Sequence, residues 1–109
     1  MKKKYIVKYS RDFEKIIKNG FCKKNKYYVI HILENNLKYD RYGISVGKKI
    51  GNAVNRNKYK RKMRSIIDNY KKMYNNSKDY IIILRKEALD KPFNLLEKEF
   101  FNLMNGKDK

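Results

Sequence analysis

The strongest constraint on the fold is a stripe of apolar side chains between positions 59 and 74. Its members recur at the spacing i, i+4, i+7, i+8, i+11 and i+15, and they are Tyr59, Met63, Ile66, Ile67, Tyr70 and Tyr74. This spacing predicts one amphipathic helix, which Asn52 can cap and which extends to about Asn75. A helix with a single apolar face has to cover another layer of the protein, so strands elsewhere in the chain must supply that layer.

The rest of the chain predicts short elements around this helix. Runs of β-branched and aromatic residues predict three strands, at residues 26–33, 41–46 and 79–84. We expect the first two strands to run antiparallel and the third to be covered on both faces, because it is almost wholly apolar.

Two further helices are predicted at the two ends of the chain. The first covers residues 10–20, with Ser10 as its N-cap and Gly20 as a left-handed stop. The last begins at Leu89-Asp90-Lys91-Pro92, with Asp90 as its cap, and ends at Gly106. The order α-β-β-α-β-α predicts an α/β (α+β) sandwich with a small central sheet, as a single domain over residues 1–109.

Positive charge is concentrated at the start of the long helix. The chain has 29 Lys and Arg against 11 Asp and Glu, a formal net charge of +18. Positions 48–64 carry eight of these basic residues and no acidic one. A solvated helix face usually mixes both signs, so a polyanion is the better explanation. Nucleic acid is favoured over a membrane, because the apolar face of this helix is needed to cover the sheet.

The chemistry-bearing residues are too sparse and scattered for a protein catalyst, so we predict no catalytic residue. One His and one Cys exclude a zinc finger and an intrachain disulfide. The acidic residues are spread along the chain, whereas a two-metal nuclease needs them clustered. No apolar run is long enough to span a bilayer, and no apolar segment follows the basic N-terminus as in a signal peptide. We therefore expect a cytoplasmic protein.

Residues 43–64 carry a resemblance to a known family. Their sequence, GISVGKKIGNAVNRNKYKRKMR, resembles the signature of the protein subunit of bacterial ribonuclease P. Arg56-Asn57-Lys58 fills the arginine-asparagine-arginine core of that signature, with Lys58 in the third place. Lysine keeps the charge there but loses planar, bidentate phosphate contacts. The resemblance extends to the first helix, the tyrosine-rich strand and the strand at 79–84, and so covers nearly the whole chain.

The resemblance implies both a fold and a function. The implied fold has the basic helix in a left-handed βαβ crossover, against the usual handedness. The implied partners are a large catalytic RNA and precursor tRNA, with no membrane and no DNA. The holoenzyme is an endoribonuclease that removes the 5′ leader from precursor tRNA, and the RNA performs the chemistry. Its Mg²⁺ is bound mainly by the RNA subunit.

Residue roles follow from the resemblance position by position. Nine residues match the box that contacts the catalytic RNA: Lys48, Lys49, Asn52, Arg56, Asn57, Lys58, Lys60, Arg61 and Arg64. Asn57 also matches a position implicated in binding metal ions at the RNA–protein boundary. The alternative is that its side chain forms a capping hydrogen bond or a hydrogen bond to phosphate.

A second set of residues matches the family's aromatic-lined cleft for the leader. This set is Phe13, Ile17, Tyr27, His31 and Arg41. Ile17 and His31 stand where relatives often carry an aromatic residue and a tyrosine. Tyr27, which the alternation of the strand places on the same face as His31, is a candidate to supply the missing aromatic ring. Plain core packing is the alternative for Phe13, and a partly buried strand histidine is the alternative for His31.

Two other functions share the size and charge of this chain. A ribosomal or ribosome-associated RNA-binding protein would copurify with ribosomal RNA. A DNA-binding regulator would insert the basic helix in the major groove, but such helices usually mix Asn, Gln, Ser and Arg and work as two-fold dimers.

Overall fold

A computed structural model describes residues 2–47 and 50–106. Within these ranges three helices and four strands follow one another, and we number them in chain order. They are α1 (Ser10–Asn19), β1 (Phe21–Lys24), β2 (Tyr28–Glu34), β3 (Arg41–Val46), α2 (Ala53–Lys71), β4 (Lys78–Leu84) and α3 (Phe93–Asn105). Short 3₁₀ turns at Lys3–Tyr5 and Lys86–Ala88 precede α1 and α3. The predicted α+β class is confirmed, with β1 as an element that the sequence did not predict.

The strands form one mixed sheet in the order β1-β2-β4-β3. β2 is antiparallel to both of its neighbours, β1 and β4, whereas β3 is parallel to β4. β2 and β3 run in opposite directions as predicted, but they are not neighbours because β4 lies between them. α2 joins β3 to β4, so these elements form the parallel crossover that the resemblance implies. The most apolar strand thus takes a central position, where Ile81 and Ile82 are both 0% exposed on opposite faces.

α2 and α3 cover one face of the sheet and bury the main core. The apolar stripe of α2 lies there as predicted, and Tyr59, Met63 and Ile66 are buried. Alternate strand residues such as Ile30 and Ile82 meet them from the sheet. Full burial of one such side chain stabilises the fold by about 1.5–3 kcal/mol.

α1 covers only part of the opposite face. Ile16 is buried there with Val7 and Ile81, and Phe13 packs beside them while staying half-buried. Two helices on one face and one short helix on the other leave a strip of this second face open.

Helix boundaries follow tertiary contacts more than the predicted caps. Asn52 caps α2 as predicted, and its Oδ1 accepts a hydrogen bond from the Asn55 N–H at 3.0 Å. Ser10 is instead the first residue of α1, and Tyr9 occupies the N-cap position. Asp90 does not cap α3; its N–H donates to the Tyr59 hydroxyl at 2.8 Å.

Gly20 ends α1 for a different reason from the predicted one. Its φ is −82°, so it does not adopt the left-handed conformation. A side chain at this position would collide with the backbone oxygens of Ile32 and Ile16. Glycine is therefore required by the close approach of α1 to β2.

Candidate nucleic-acid interface

The exposed face of α2 is polar and basic between Asn57 and Arg64. Asn57, Lys58, Arg61 and Arg64 are exposed on it, opposite the buried stripe of the same helix. We call these four residues the α2 surface. Asn52, at the cap, is also exposed, so five of the nine predicted box residues are exposed to solvent.

Two other box residues lie beside the core rather than over solvent. Arg56 and Lys60 are half-buried, because the helical twist turns them toward the flank of the buried stripe. The Nε of Arg56 is buried without a hydrogen-bond partner. Lys48 and Lys49 lie outside the described residues.

The open strip lies on the other face of the sheet, beside α1. Strand register places His31, Ile81 and Gly43 in one row across the sheet, and Val29, Ile83 and Ser45 in the next row. His31, Val29, Ile83 and Ser45 are each half-buried. We call these four residues the sheet groove, whose side wall is the α1 helix with Phe13 and, one turn on, the 43% exposed Ile17.

The ring of Phe13 is fixed over β3 by the missing side chain of Gly43. A Cβ built on Gly43 would lie 2.6 Å from Cζ of Phe13 and 2.8 Å from Cδ1 of Ile81. Phe13 thus occupies the space that the missing side chain leaves on β3. The half-buried ring therefore combines core packing with an edge that solvent reaches.

His31 stands in the middle of the strip with an unused donor or acceptor. Its Nδ1 atom is buried and has no hydrogen-bond partner. An unpaired buried ring nitrogen is costly unless a ligand or water reaches it. The ring borders Cys22 on β1 and Ile81 on β4 through strand pairing.

The described residues contain no group of three His, Cys, Asp or Glu side chains able to hold a metal ion. None of the described helices is both long and apolar enough to cross a membrane. The two surfaces offer cations, amides and rings, which are groups that bind phosphates and unpaired bases.

Comparison with known proteins identifies one family over almost the whole chain. Residues 1–107 match the family described as Ribonuclease P. The chain is 42% identical over 105 residues to the ribonuclease P protein component of Mycoplasma mycoides, which covers 95% of this chain and 96% of that protein.

Solved structures of two bacterial proteins share the fold. The Staphylococcus aureus RNase P protein superposes with a TM-score of 0.85 at 35% identity, covering 92% of each chain. The Thermotoga maritima RNase P protein gives a TM-score of 0.85 at 31% identity, covering 93% of this chain and 96% of that one. The chain belongs to the ribonuclease P protein family. It is therefore a subunit of an endoribonuclease holoenzyme that processes tRNA 5′ ends, and the ribosomal alternative is not supported.

Two residues that the sequence predicts to line the leader cleft of this family member make different contacts in the structure. Tyr27 precedes β2 and belongs to the main core, so it does not share a strand face with His31. The guanidinium of Arg41 forms a bidentate ion pair with Asp79, from Nε to Oδ1 at 2.9 Å and from Nη2 to Oδ2 at 2.6 Å. This hydrogen bonding raises the pKa of Arg41. Asp79 is 5% exposed, so the charge of Arg41 is compensated within the fold.

Sequence reasoning missed Val29 and Ile83 as groove residues of this family member. The alternation of β2 places Val29 on the face of His31, which was a usable signal. Ile83 belongs to a strand that the sequence predicts to be buried on both faces. Its side chain is only half-buried because α1 is too short to cover it, which the sequence of the strand does not indicate.

Proposed function

We propose that the α2 surface binds the catalytic RNA of ribonuclease P and that the sheet groove binds the 5′ leader of precursor tRNA. The observation that carries this proposal is the placement of the two surfaces on opposite faces of one sheet. α2 packs against the face of Ile82, and α1 packs against the face of Ile81. A protein built this way can hold two RNA strands at once, one on each side.

The α2 surface suits phosphate groups of a folded RNA. Lys58, Arg61 and Arg64 present their charges on consecutive turns of a rigid helix. Such contacts provide affinity and orientation without reading bases. Arg56, with its buried unpaired Nε, Lys60 and Asn52 border this surface, and Lys48 and Lys49 belong to the same proposal by sequence.

The sheet groove suits a single RNA strand. Its half-buried apolar floor and the rings of Phe13 and His31 offer flat surfaces on which unpaired bases can stack. Ile17 adds apolar contact but no ring. Arg41 reaches the leader only if its ion pair with Asp79 rearranges, so its role here is to brace β3 against β4.

The hydrolysis is assigned to the RNA subunit, which would bind most of the Mg²⁺. Carboxylate oxygens are the protein ligands that hold Mg²⁺, and the described part of the chain brings no three of them together. Asn57 is exposed beside Arg61 and Arg64, where its amide could orient a hydrated ion at the RNA boundary. Because both RNA partners are cytoplasmic, we place the protein in the cytoplasm, with neither membrane nor DNA as a partner.

The salt dependence of binding to the RNA subunit tests the role proposed for the α2 surface. Replacing Arg61 and Arg64 by Ala together should make the slope of log affinity against log salt shallower by about two units, one for each lost phosphate contact. A matched double variant, Lys24→Ala with Lys98→Ala, removes two exposed charges from β1 and α3 instead. It should leave the slope almost unchanged. Equal slopes for both double variants would refute the assignment of α2 to the RNA subunit.

A further inference from the structure

A second group of lysines gathers at the far end of α2, away from the box. It consists of Lys2, Lys3 and Lys4 from the N-terminal segment with Lys71 and Lys72 from the end of α2. We call it the lysine cluster. Lys2, Lys71 and Lys72 line one shallow depression together with Tyr5 and a single acidic residue, Asp68.

The N-terminal lysines are held in place by the fold. Ile6 forms a parallel bridge with Tyr42, and the Val7 N–H donates to the Tyr42 carbonyl oxygen at 3.0 Å. The N-terminal segment therefore lies along the outer edge of β3. This anchoring sets the 3₁₀ turn at Lys3–Tyr5 against the end of α2.

Stacked cations and rings fix the centre of the cluster. Nζ of Lys71 lies 3.2 Å from the centroid of the Tyr5 ring, and Nζ of Lys4 lies 5.1 Å from the same centroid. Tyr5 in turn meets Tyr39 edge-to-face, with ring centroids 5.3 Å apart. Burial lowers the pKa of Lys71, while the charge of Asp68 opposes this shift. Like charges held this close favour an anion nearby.

The cluster continues the side of α2 that carries the box. Positions 57, 61, 64, 68 and 72 follow one another at spacings of three or four residues, which places them along one stripe of the helix. Arg61 and Lys72 are eleven residues apart, about 16 Å along the axis. Phosphates along one strand of a duplex rise by only about 3.4 Å, so the two groups reach different segments of a backbone.

We propose that the lysine cluster is a second anchor for the backbone of the RNA subunit, separate from the box and contacted at the same time. This inference rests on the proposed binding of the RNA subunit to the α2 surface. The cluster lies on the α2 side of the sheet, whereas the groove proposed for the leader lies on the α1 side. This placement favours the RNA subunit over precursor tRNA as the partner.

The test compares two triple variants for binding to the RNA subunit alone over a salt series. Lys2→Ala, Lys3→Ala and Lys72→Ala remove three exposed charges from the cluster and leave the stacked Lys4 and Lys71 in place. The slope of log affinity against log salt should become shallower by about two to three units.

The matched control removes three exposed lysines from the side of β1 and α3, with Lys24→Ala, Lys26→Ala and Lys98→Ala. Its slope should stay within about one unit of the unmodified protein. Thermal melting of both variants checks that they are folded.

Three results decide the proposal. A shallower slope for the cluster variant and not for the control supports it. Equal slopes for the two variants overturn it, and so does a loss confined to precursor tRNA binding by the assembled holoenzyme. The Arg61→Ala and Arg64→Ala variant, measured in the same titration, separates this inference from the function it rests on. If that variant changes the slope and the cluster variant does not, only the second anchor fails.

Discussion

Phe13 gives the clearest test of whether the sheet groove binds the leader by stacking. The ring is half-buried over Gly43 and Ile81, so Phe13→Ala removes both a core contact and a stacking surface. Full truncation of a buried Phe costs about 3–5 kcal/mol, so we expect about 2 kcal/mol of unfolding free energy from this half-buried ring. Phe13→Leu keeps apolar volume over Gly43 and should cost less than about 1.5 kcal/mol.

Measurements of RNA binding should distinguish base stacking on the Phe13 ring from a purely structural effect of the two substitutions. If a base stacks on the ring, both should weaken holoenzyme affinity for precursor tRNA with a leader of several nucleotides by about 1–3 kcal/mol. That loss is roughly five- to 150-fold in Kd. Affinity for mature tRNA, which has no leader, should barely change. The assay is holoenzyme titration with both RNAs, alongside urea unfolding of each variant. Full leader affinity in Phe13→Leu, or equal losses for the two RNAs, would refute stacking on Phe13.

Two further substitutions test the structure around the groove. Gly43→Ala places a methyl group 2.6 Å from Cζ of Phe13, so the Phe13 ring must shift. Affinity for the leader should therefore fall about as much as it does in Phe13→Leu. Unchanged affinity for the leader would show that the position of the ring is irrelevant. Asp79→Ala leaves the Arg41 guanidinium without its partner and should lower the unfolding free energy by about 3 kcal/mol in urea denaturation. Glu34→Ala, an exposed acidic residue on β2, should cost less than about 0.5 kcal/mol, and an equal loss for the two would contradict a structural Arg41–Asp79 pair.

Elements with a strong period were predictable from the sequence. The stripe from Tyr59 to Tyr70 defines α2 because every member has to reach the same core. The apolar run that becomes β4 is predicted to be covered on both faces; Ile81 and Ile82 are fully buried, whereas Ile83 is only half-buried. Helical geometry alone assigned Asn57, Arg61 and Arg64 to the outer side of α2, where they are exposed. The same geometry was wrong for Lys60, which lies half-buried on the flank of the helix with Arg56.

Features created by contacts between elements were not predictable in this way. β1 is four residues long and mostly exposed, so its strand conformation comes from pairing with β2. Alternation placed Tyr27 with His31, but β2 begins at Tyr28 and the Tyr27 ring enters the main core. The fit of Phe13 over Gly43 joins residues 30 positions apart in sequence, and no local pattern encodes it.

Directed cleavage from single cysteines tests the central claim that the protein holds one RNA on each side of its sheet. Cys22 is exposed and unpaired, so Cys22→Ser provides the background. Into it are placed Arg64→Cys on the α2 surface or Ile17→Cys beside the groove, both at exposed positions. An iron chelate attached to each cysteine then cuts nearby RNA in the holoenzyme bound to precursor tRNA. We expect cuts in the RNA subunit from position 64 and cuts in the leader from position 17. Cuts in the same RNA segment from both positions, or the reverse assignment, would contradict it.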